Sequence, residues 1–342
     1  MVNRLKKDVY HFFLGILFVV FLTGCSPIPP PAPTPENPTL PVNNSTQGTS
    51  FPTIQAAIDA SIPGDIIIVY PGIYYENIDY KGKNITVQST DPLSSTILLK
   101  TIIDGQKKGS VVTFKSGETN NAVLKGFTIQ NGSGSNIGNW SKNGGGIYCI
   151  QSSPTVSYNF ILNNNADIGG GIYCSFSSMI IRQNKIGLNS AKGGGGIFCG
   201  DSLSTVISQN TISENSATHN SHGGGVLCYN SSPNIVSNEI SWNDATNGAG
   251  ICILDSMPVI YGNDIHKNTA TQYGGGIFVS KQSIVKDSRG DSWLRMNDPP
   301  HAETNNLYSG NTHQGALNTD GSSVYFEMNV FTIRTLGPGL DS

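Results

Sequence analysis

The chain has 342 residues and a formal net charge of −3 at pH 7, and only 13% of its residues are charged, against about 25% in an average domain. Residues 1–24 contain more basic than acidic side chains, so the rest of the chain is more acidic than the whole. This charge balance argues against nucleic-acid binding. The low charged fraction is typical of stacked repeats, in which like charges would repel one another.

The N-terminal residues have the organisation of an export signal. Basic side chains at residues 4–7 precede an apolar run at residues 11–22 that is too short to remain as a transmembrane helix. The run ends in Leu22-Thr23-Gly24-Cys25, which resembles a bacterial lipobox. The resemblance implies a signal peptide of residues 1–24 and lipidation of Cys25, and an ordinary signal peptide is the alternative. Ser26 replaces the acidic residue of inner-membrane retention signals, so we expect display at the outer membrane or cell surface.

Two further segments lead into the repeats. Residues 25–50 are predicted to be the lipidated cysteine and an extended tether, because eight prolines lie between positions 26 and 50. Thr53 to Ala60 is predicted to form a short amphipathic helix with Ile54 and Ile58 on one face. Such a helix would cap the open end of a repeat domain at residues 51–342, whose sequence becomes irregular from about residue 281.

From residue 144 the sequence repeats with a period of 25–29 residues. The cluster Gly-Gly-Gly-Ile-Tyr-Cys or a close variant begins at positions 144, 169, 194 and 223, with weaker copies at 248 and 274. A second pattern, Asn-x-Ile-x-x-Asn, begins at positions 159, 184, 210, 238 and 263. The repeats contain only short apolar runs separated by Gly, Asn, Ser and Pro, which disfavours helical repeats. Each repeat is therefore predicted to be one turn of a parallel β-helix, with equivalent residues stacked at roughly 4.8 Å.

This repeat unit carries a resemblance to known families. It is similar to the repeat of chlamydial polymorphic outer-membrane proteins, and residues from about 50 to 335 resemble right-handed parallel β-helix proteins of the pectin-lyase-like superfamily. The expected fold is all-β: a right-handed, single-stranded parallel β-helix of about ten turns with a short N-terminal capping helix. Residues 51–78 resemble the start of pectin methylesterases, but the catalytic Gln- and Asp-bearing motifs of those enzymes are not visible downstream. The fold hosts many activities, so it does not imply one of them.

Alternation along the strands predicts which side chains point inward. The repeated Ile and Asn side chains are expected to face the core, where the Asn amides would bond to the backbone and to one another. Cysteines at positions 149, 174, 199 and 228 are expected to form a buried thiol ladder, with disulfides between neighbouring turns as the alternative. Cys252 is shifted by one position and is expected to face outward. Zinc binding is disfavoured because ligands in one straight column do not form a tetrahedron.

The position after each inward Ile is predicted to point outward and to form an exposed apolar strip. Its members are Tyr148, Tyr173, Phe198, Leu227, Cys252 and Phe278. We expect this strip to stack on sugar rings or to dock a partner, with Trp140 from the preceding loop folding over its end. Coverage of the strip by loops is the alternative.

Two further outward columns contain polar candidates. The first holds Asp201, Asn230, Asp255 and Lys281; its two carboxylates, two turns and roughly 9.6 Å apart, approach the separation used by inverting glycosidases. The resemblance to β-helix lyases also implies a possible role of this column in holding Ca²⁺, with Lys281 as the base. A solvated surface is the alternative. The second column contains Trp242, a further candidate binding residue, and no other cofactor is expected.

The sequence therefore predicts a lipid-anchored β-helix of the cell envelope that presents an extended side wall to a polysaccharide or a surface partner. Membrane contact is expected through the anchor alone. A polysaccharide lyase or hydrolase of the pectin-lyase-like group and a structural spacer are the alternatives. An enzyme would require converging carboxylates and a base in a groove, whereas a binding protein would require only the aromatic strip.

Overall fold

The computed structural model describes residues 41–137, 141–202, 204–280, 283 and 285–286, and four short strands beyond them. Only the backbone is described at residues 137, 218–220 and 286 and in the strands at 292–294, 307–309, 312–313 and 323–326. The chain divides into two compact units, Met1–Pro38 and Thr39–Ser342, and all described residues belong to the second. Cys25, Trp140 and Lys281 lie outside the described residues.

The described chain forms a parallel β-solenoid of about eight turns, which confirms the predicted all-β class with slightly fewer turns than the ten expected. The strands of the turns form four mainly parallel sheets, named A to D and described below. In each regular turn the chain passes through sheets C, A, B and D in that order. Equivalent residues of neighbouring repeats are direct partners; Ile147, Ile172 and Ile197, for example, lie side by side in parallel register. The repeat period in the sequence is therefore the length of one turn.

Sheets A and B form two sides of the solenoid. Sheet A has twelve strands, which in spatial order are Thr49–Phe51, Val42–Asn44, Ile66–Val69, Thr86–Ser89, Val123–Lys125, Thr155–Ser157, Ile180–Arg182, Val206–Ser208, Asn234–Val236, Val259–Tyr261, Val285–Lys286 and Ser292–Leu294. Sheet B has nine strands, which are Gly72–Tyr74, Thr101–Asp104, Thr128–Gln130, Phe160–Leu162, Lys185–Gly187, Thr211–Ser213, Glu239–Ser241, Asp264–His266 and Leu307–Ser309.

Sheets C and D contain the strands that flank the glycine clusters. Sheet C has nine strands, which are Ile78–Asp79, Val112–Phe114, Ile147–Ile150, Ile172–Ser175, Ile197–Gly200, Val226–Tyr229, Ile251–Leu254, Ile277–Ser280 and the antiparallel Ser323–Phe326. Sheet D has five strands, which are Ser190–Gly193, Ser216–His222, Asp244–Asn247, Thr269–Tyr273 and Thr312–His313. Two turns before the first strand of sheet D, the antiparallel hairpin of Ser135–Ile137 and Ser141–Asn143 occupies the segment between sheets B and C, where a loop was expected.

Two helices lie near the N-terminal end, α1 at Ile54–Ala60 and α2 at Ser95–Leu98. Ile54 and Ile58 of α1 are buried in the core, as predicted for a capping helix. The Thr53 hydroxyl accepts a hydrogen bond from the Ala56 N–H, and both oxygens of Glu76 accept N–H groups of the first turn. These acceptors satisfy amides that a helix start leaves unpaired. In the described part of the chain, neither helix is long and apolar enough to cross a membrane.

The C-terminal part of the segment predicted to be a tether belongs to the folded body. Val42–Asn44 pairs antiparallel with Thr49–Phe51 and with Ile66–Val69, so residues 42–51 form a hairpin that extends sheet A. The tether prediction for residues 42–50 is therefore wrong. Val42 and Asn44 are buried and Asn43 between them is half-buried, so one face of this strand packs inward. This alternation explains why the segment pairs with the sheet.

The inward asparagines form two ladders along the solenoid, as predicted. Asn210 illustrates the pattern: its Nδ2 donates to the Ile181 carbonyl at 2.9 Å and to Asn238 Oδ1 at 3.0 Å, and its Oδ1 accepts the N–H of Asn184 at 2.9 Å. The ladder members are Asn159, Asn184, Asn210, Asn238 and Asn263, and Asn164, Asn189, Asn215, Asn243 and Asn268. Because their amides bond to the backbone of neighbouring turns, burial leaves these polar groups paired.

Non-glycine residues with left-handed backbone lie at the corners of the regular turns, each just before a buried polar residue. One column at the corner between sheets B and D has φ of 55–58° at Asn163, Leu188, Glu214, Trp242 and Lys267. A second, between sheets C and A, has φ of 46–51° at Gln151, Phe176, Asp201, Asn230 and Asp255. Each member of the second column is followed by a buried serine. This conformation is costly for ordinary residues, and the buried hydrogen bonds of the next residue hold it in place.

Candidate functional site

The apolar strip predicted as the binding surface is buried. Tyr148, Tyr173 and Phe198 are only 8%, 8% and 9% exposed. Their rings stack on one another, with centroids 5.5 and 5.1 Å apart and interplanar angles of 11° and 7°. The strip does lie on the outer face of sheet C, but the prediction that it is solvent-exposed is wrong.

Sheet D explains this burial. Ile168, which bridges to Gly193 at the edge of sheet D, and Tyr273 of sheet D pack against the strip. The chain then reverses at a glycine: Gly194 has φ +63°, and a Cβ there would lie 2.8 Å from the Ile197 carbonyl oxygen. The sequence contains one signal for this layer, the small residue two positions after each second asparagine. These alanines are buried; they are Ala166, Ala191, Ala217, Ala245 and Ala270.

The cysteine predictions are confirmed on the inner side of sheet C and corrected on its outer side. The cysteines at 149, 174, 199 and 228 are buried and free, so the thiol ladder is correct and the disulfide alternative is not. Burial raises the pKa of the Cys228 thiol to about 12. Cys252 is paired with Leu227 and Phe278 on the other side of the sheet, as its shifted position requires. It is fully buried beneath sheet D rather than exposed.

His222 contributes an imidazole to the same buried layer. Its ring lies 6.5 Å from the Phe278 ring at an interplanar angle of 20°, and its Nδ1 lies 3.3 Å from Asn247 Nδ2. Burial lowers the pKa of His222, which favours the neutral ring. A neutral Nδ1 accepts the hydrogen bond from the asparagine amide.

The acidic column at the corner between sheets C and A contains the weak catalytic candidates. Asn230 stands between Asp201 and Asp255 in this column, and its Nδ2 donates to Asp201 Oδ1 at 2.7 Å. The two carboxylates therefore do not face each other as an open pair, which weighs against the inverting-glycosidase arrangement. Among the described residues, no group of three or more His, Cys, Asp or Glu side chains is arranged to hold a metal ion.

Two exposed aromatic side chains flank this hydrogen-bonded pair. Phe176, one turn before Asp201, is 59% exposed, and Tyr229, beside Asn230, is 47% exposed. Gly200 lies between them in the neighbouring column, where Ser175, Gly200 and Tyr229 are register partners. Gly200 is buried, and a Cβ there would fall 2.5 Å from the Phe198 ring, so the edge of the buried ladder fills the space above this glycine.

Periodicity alone could not identify this corner. Phe176 and Tyr229 each occur once in their columns, so neither belongs to a repeated pattern. The available signal was their position within the turn. Phe176 follows the inward Ile172 by four residues and Tyr229 follows the inward Val226 by three, and both side chains are exposed. We define Phe176, Asp201, Asn230 and Tyr229 as the aromatic corner.

Trp242 is the one predicted binding residue that the structure shows to be exposed, at 51%. Lys267 of the next turn lies over its ring, with Nζ 4.8 Å from the centroid. On the outer face of sheet B, His266 Nε2 lies 3.6 Å from a Glu239 oxygen and 3.9 Å from an Asp264 oxygen. Three titratable side chains thus converge near Trp242, a cluster that the sequence reading did not single out.

The regular turns thus present two exposed places with aromatic and polar side chains together, the aromatic corner and the edge of sheet B at Trp242. The chain matches no family model, no curated protein and no solved structure.

Proposed function

We propose that the protein is a lipid-anchored β-solenoid of the cell envelope, displayed at the outer membrane or cell surface, whose side wall binds polysaccharide at the aromatic corner. The observation that carries the binding role is the pair of exposed rings, Phe176 one turn before Asp201 and Tyr229 beside Asn230, next to the hydrogen bond that joins Asp201 and Asn230. Exposed apolar side chains grouped with polar groups are typical of interaction sites. The resemblance to polysaccharide-acting β-helix families is consistent with this ligand class.

The spacing of the rings suits a carbohydrate chain. They lie two turns apart along the axis, roughly 9.6 Å at the usual strand spacing. Each pyranose ring has an apolar face that stacks on an aromatic ring, and its hydroxyl groups both donate and accept hydrogen bonds. A sugar chain that stacked on both rings would therefore pass the polar groups of Asp201 and Asn230.

The solenoid holds these groups in fixed positions. The backbone N–H of Asp201 donates to the Tyr229 carbonyl, and that of Asn230 donates to the Leu254 carbonyl. Beneath them, Ser231 Oγ donates to the Cys199 carbonyl at 3.0 Å, and the Ser231 N–H donates to Ser256 Oγ. A corner tied to its neighbouring turns loses little freedom on binding, which favours affinity.

The test is retention of purified mature protein on a panel of insoluble polysaccharides. We expect Phe176→Ala and Tyr229→Ala each to weaken binding about tenfold, as loss of one contact residue at an interface commonly does. Leu188→Ala is the matched control, since Leu188 is also an exposed apolar corner residue but lies between sheets B and D. If both aromatic variants bind as the wild type does, the aromatic corner is not the binding surface and a spacer role becomes the better account.

The anchor has a separate test. Replacement of Cys25 by Ser removes the thiol that the lipobox resemblance assigns to lipidation. We expect Cys25→Ser protein to lose incorporation of radiolabelled fatty acid and to leave the membrane fraction. Membrane retention and processing identical to the wild type would contradict the lipoprotein proposal while leaving the binding proposal intact.

Hydrolysis is a second candidate, favoured by the cluster on sheet B. Glu239 and Asp264 are register partners on neighbouring turns, and both carboxylates approach His266 Nε2. Retaining glycosidases use two carboxyl groups about 5–5.5 Å apart. Release of reducing ends from the same panel by the wild type would support hydrolysis if Glu239→Gln abolishes it. Phe176→Ala should still release reducing ends from soluble oligosaccharides. Absence of any release by the wild type would exclude it.

A further inference from the structure

We infer that the aromatic corner selects a polysaccharide containing amino sugars and disfavours polyuronates; this inference rests on the binding role proposed above. The corner supplies hydrogen-bond acceptors and negative charge between its two rings. An ammonium or amide N–H of an amino sugar supplies what those groups require, and a uronate carboxylate does not.

The hydrogen bond between Asn230 and Asp201 fixes the polarity of the corner. A carboxylate only accepts hydrogen bonds, so the amide NH₂ of Asn230 must face Asp201, as the 2.7 Å contact has it. This orientation turns Asn230 Oδ1 away from the pair and leaves Asp201 Oδ2 beside it. The polar centre therefore offers Asn230 Oδ1 and Asp201 Oδ2 as acceptors against one remaining N–H of the Asn230 amide, so it favours a ligand that donates.

The charge of the corner points the same way. None of the ion pairs among the described residues includes Asp201 or Asp255. Lys281, the next residue of the column by sequence, lies outside the described residues. The Asp201 carboxylate repels a polyanion and attracts a polycation at close distance, and salt screens both effects at an exposed site.

The two rings set the remaining requirement. Phe176 and Tyr229 are both exposed and lie two turns apart, so a ligand that reaches both must be a chain of rings rather than a single sugar. A linear hexosamine chain meets all three conditions: apolar ring faces, donor groups and no negative charge. A uronate chain has apolar ring faces and hydroxyl donors, but it carries a negative charge on each sugar.

The experiment compares three oligosaccharides of equal length by isothermal titration with the mature wild-type protein: a β-linked glucosamine oligomer, its fully N-acetylated form and an oligogalacturonate. We expect the glucosamine oligomer to bind tightest, the N-acetylated form more weakly and the uronate weakest. Raising the salt concentration from 50 to 500 mM should weaken the binding of the glucosamine oligomer most, since salt screens exposed charges. Equal or tighter binding of the uronate, with or without added Ca²⁺, would overturn the inference.

Variants separate this inference from the binding role itself. Asp201→Asn keeps the shape but removes the charge, so we expect about tenfold weaker binding of the glucosamine oligomer and little change for the N-acetylated one. Asp91→Asn is the control for a change of net charge at a distance, because Asp91 is exposed outside the regular turns. If the wild-type protein prefers the uronate and Phe176→Ala loses all binding, the site is correct and the ligand class is wrong. Unchanged binding in Phe176→Ala and Tyr229→Ala would refute the site.

Discussion

Asn210 and Asn238 lie one turn apart and are joined by a hydrogen bond of 3.0 Å from Nδ2 to Oδ1 inside the solenoid. The same amide oxygen of Asn238 also accepts the backbone N–H of Asn210 at 2.9 Å. One side chain thus satisfies both a neighbouring backbone and a neighbouring side chain. The repetition of this bond along the axis ties each turn to the next.

Replacing Asn210 by Leu would break this chain of bonds in the middle. The Ile181 carbonyl and the amide groups of Asn184 and Asn238 would lose partners while remaining buried, which costs about 1–3 kcal/mol. We expect Asn210→Leu to lower the free energy of unfolding in urea by that amount. Asn234→Leu, the same change at an exposed position of sheet A, is the control and should have little effect. Equal urea midpoints for the two variants would place Asn210 outside the ladder.

The sequence identified these ladders because a stacked repeat places identical side chains in identical surroundings. Asn184, Asn210 and Asn238 recur at the turn length, and the two-residue alternation of strands then indicates which neighbours point inward. The same alternation placed Tyr173 on the outer face of its strand, which is correct. It could not reveal that a further sheet covers that face, because the residues above it, such as Ile168 and Tyr273, share no repeated identity.

Asp201 and Asn230 of the aromatic corner were identified as an outward polar column, but its two aromatic residues were missed for the opposite reason. Phe176 and Tyr229 interrupt their columns rather than continue them, so a search for repeated residues passes over them. In a solenoid the repeated positions maintain the stack, and exposed departures from the repeat are free to differ from turn to turn. The unrepeated corner residues are therefore the positions to inspect first for binding.

Gly193 and Gly194 are adjacent in sequence but have different requirements. Gly194 has a left-handed φ of +63°, and a Cβ there would lie 2.8 Å from the Ile197 carbonyl oxygen. A Cβ at Gly193 would approach only the tip of the Leu227 side chain, at 3.2 Å. We expect Gly194→Ala to lower the free energy of unfolding by about 1–3 kcal/mol and Gly193→Ala to cost clearly less. Urea denaturation of the two variants measures the difference. A larger cost at Gly193 would show that the reversal into sheet C lies elsewhere.

His222 makes stability depend on pH. Burial lowers its pKa below the ordinary value of 6.5, so the unfolded chain binds a proton more readily than the folded one. The stability that the neutral ring provides is present above pH 6.5 and is lost as the pH falls from there toward the folded value. We expect wild-type protein to lose more stability than His222→Gln between pH 7.5 and pH 5. Because carboxylates titrate equally in both proteins, the difference between them isolates the histidine, and parallel pH profiles would contradict its burial.

Tyr173 and Tyr229 both lie on the outer face of sheet C, on strands two turns apart, but their environments are opposite. Tyr173 is buried between the rings of Tyr148 and Phe198, whereas Tyr229 protrudes at the aromatic corner. Truncation of a buried aromatic side chain leaves a cavity and costs about 3–5 kcal/mol, while truncation of an exposed one stays within about 0.5 kcal/mol. We therefore expect Tyr173→Ala to lower the urea midpoint strongly and Tyr229→Ala to leave it unchanged while weakening polysaccharide retention. If Tyr173→Ala unfolds at the wild-type urea concentration and loses retention instead, the ladder is accessible in solution, and the outer face of sheet C replaces the aromatic corner as the glycan surface.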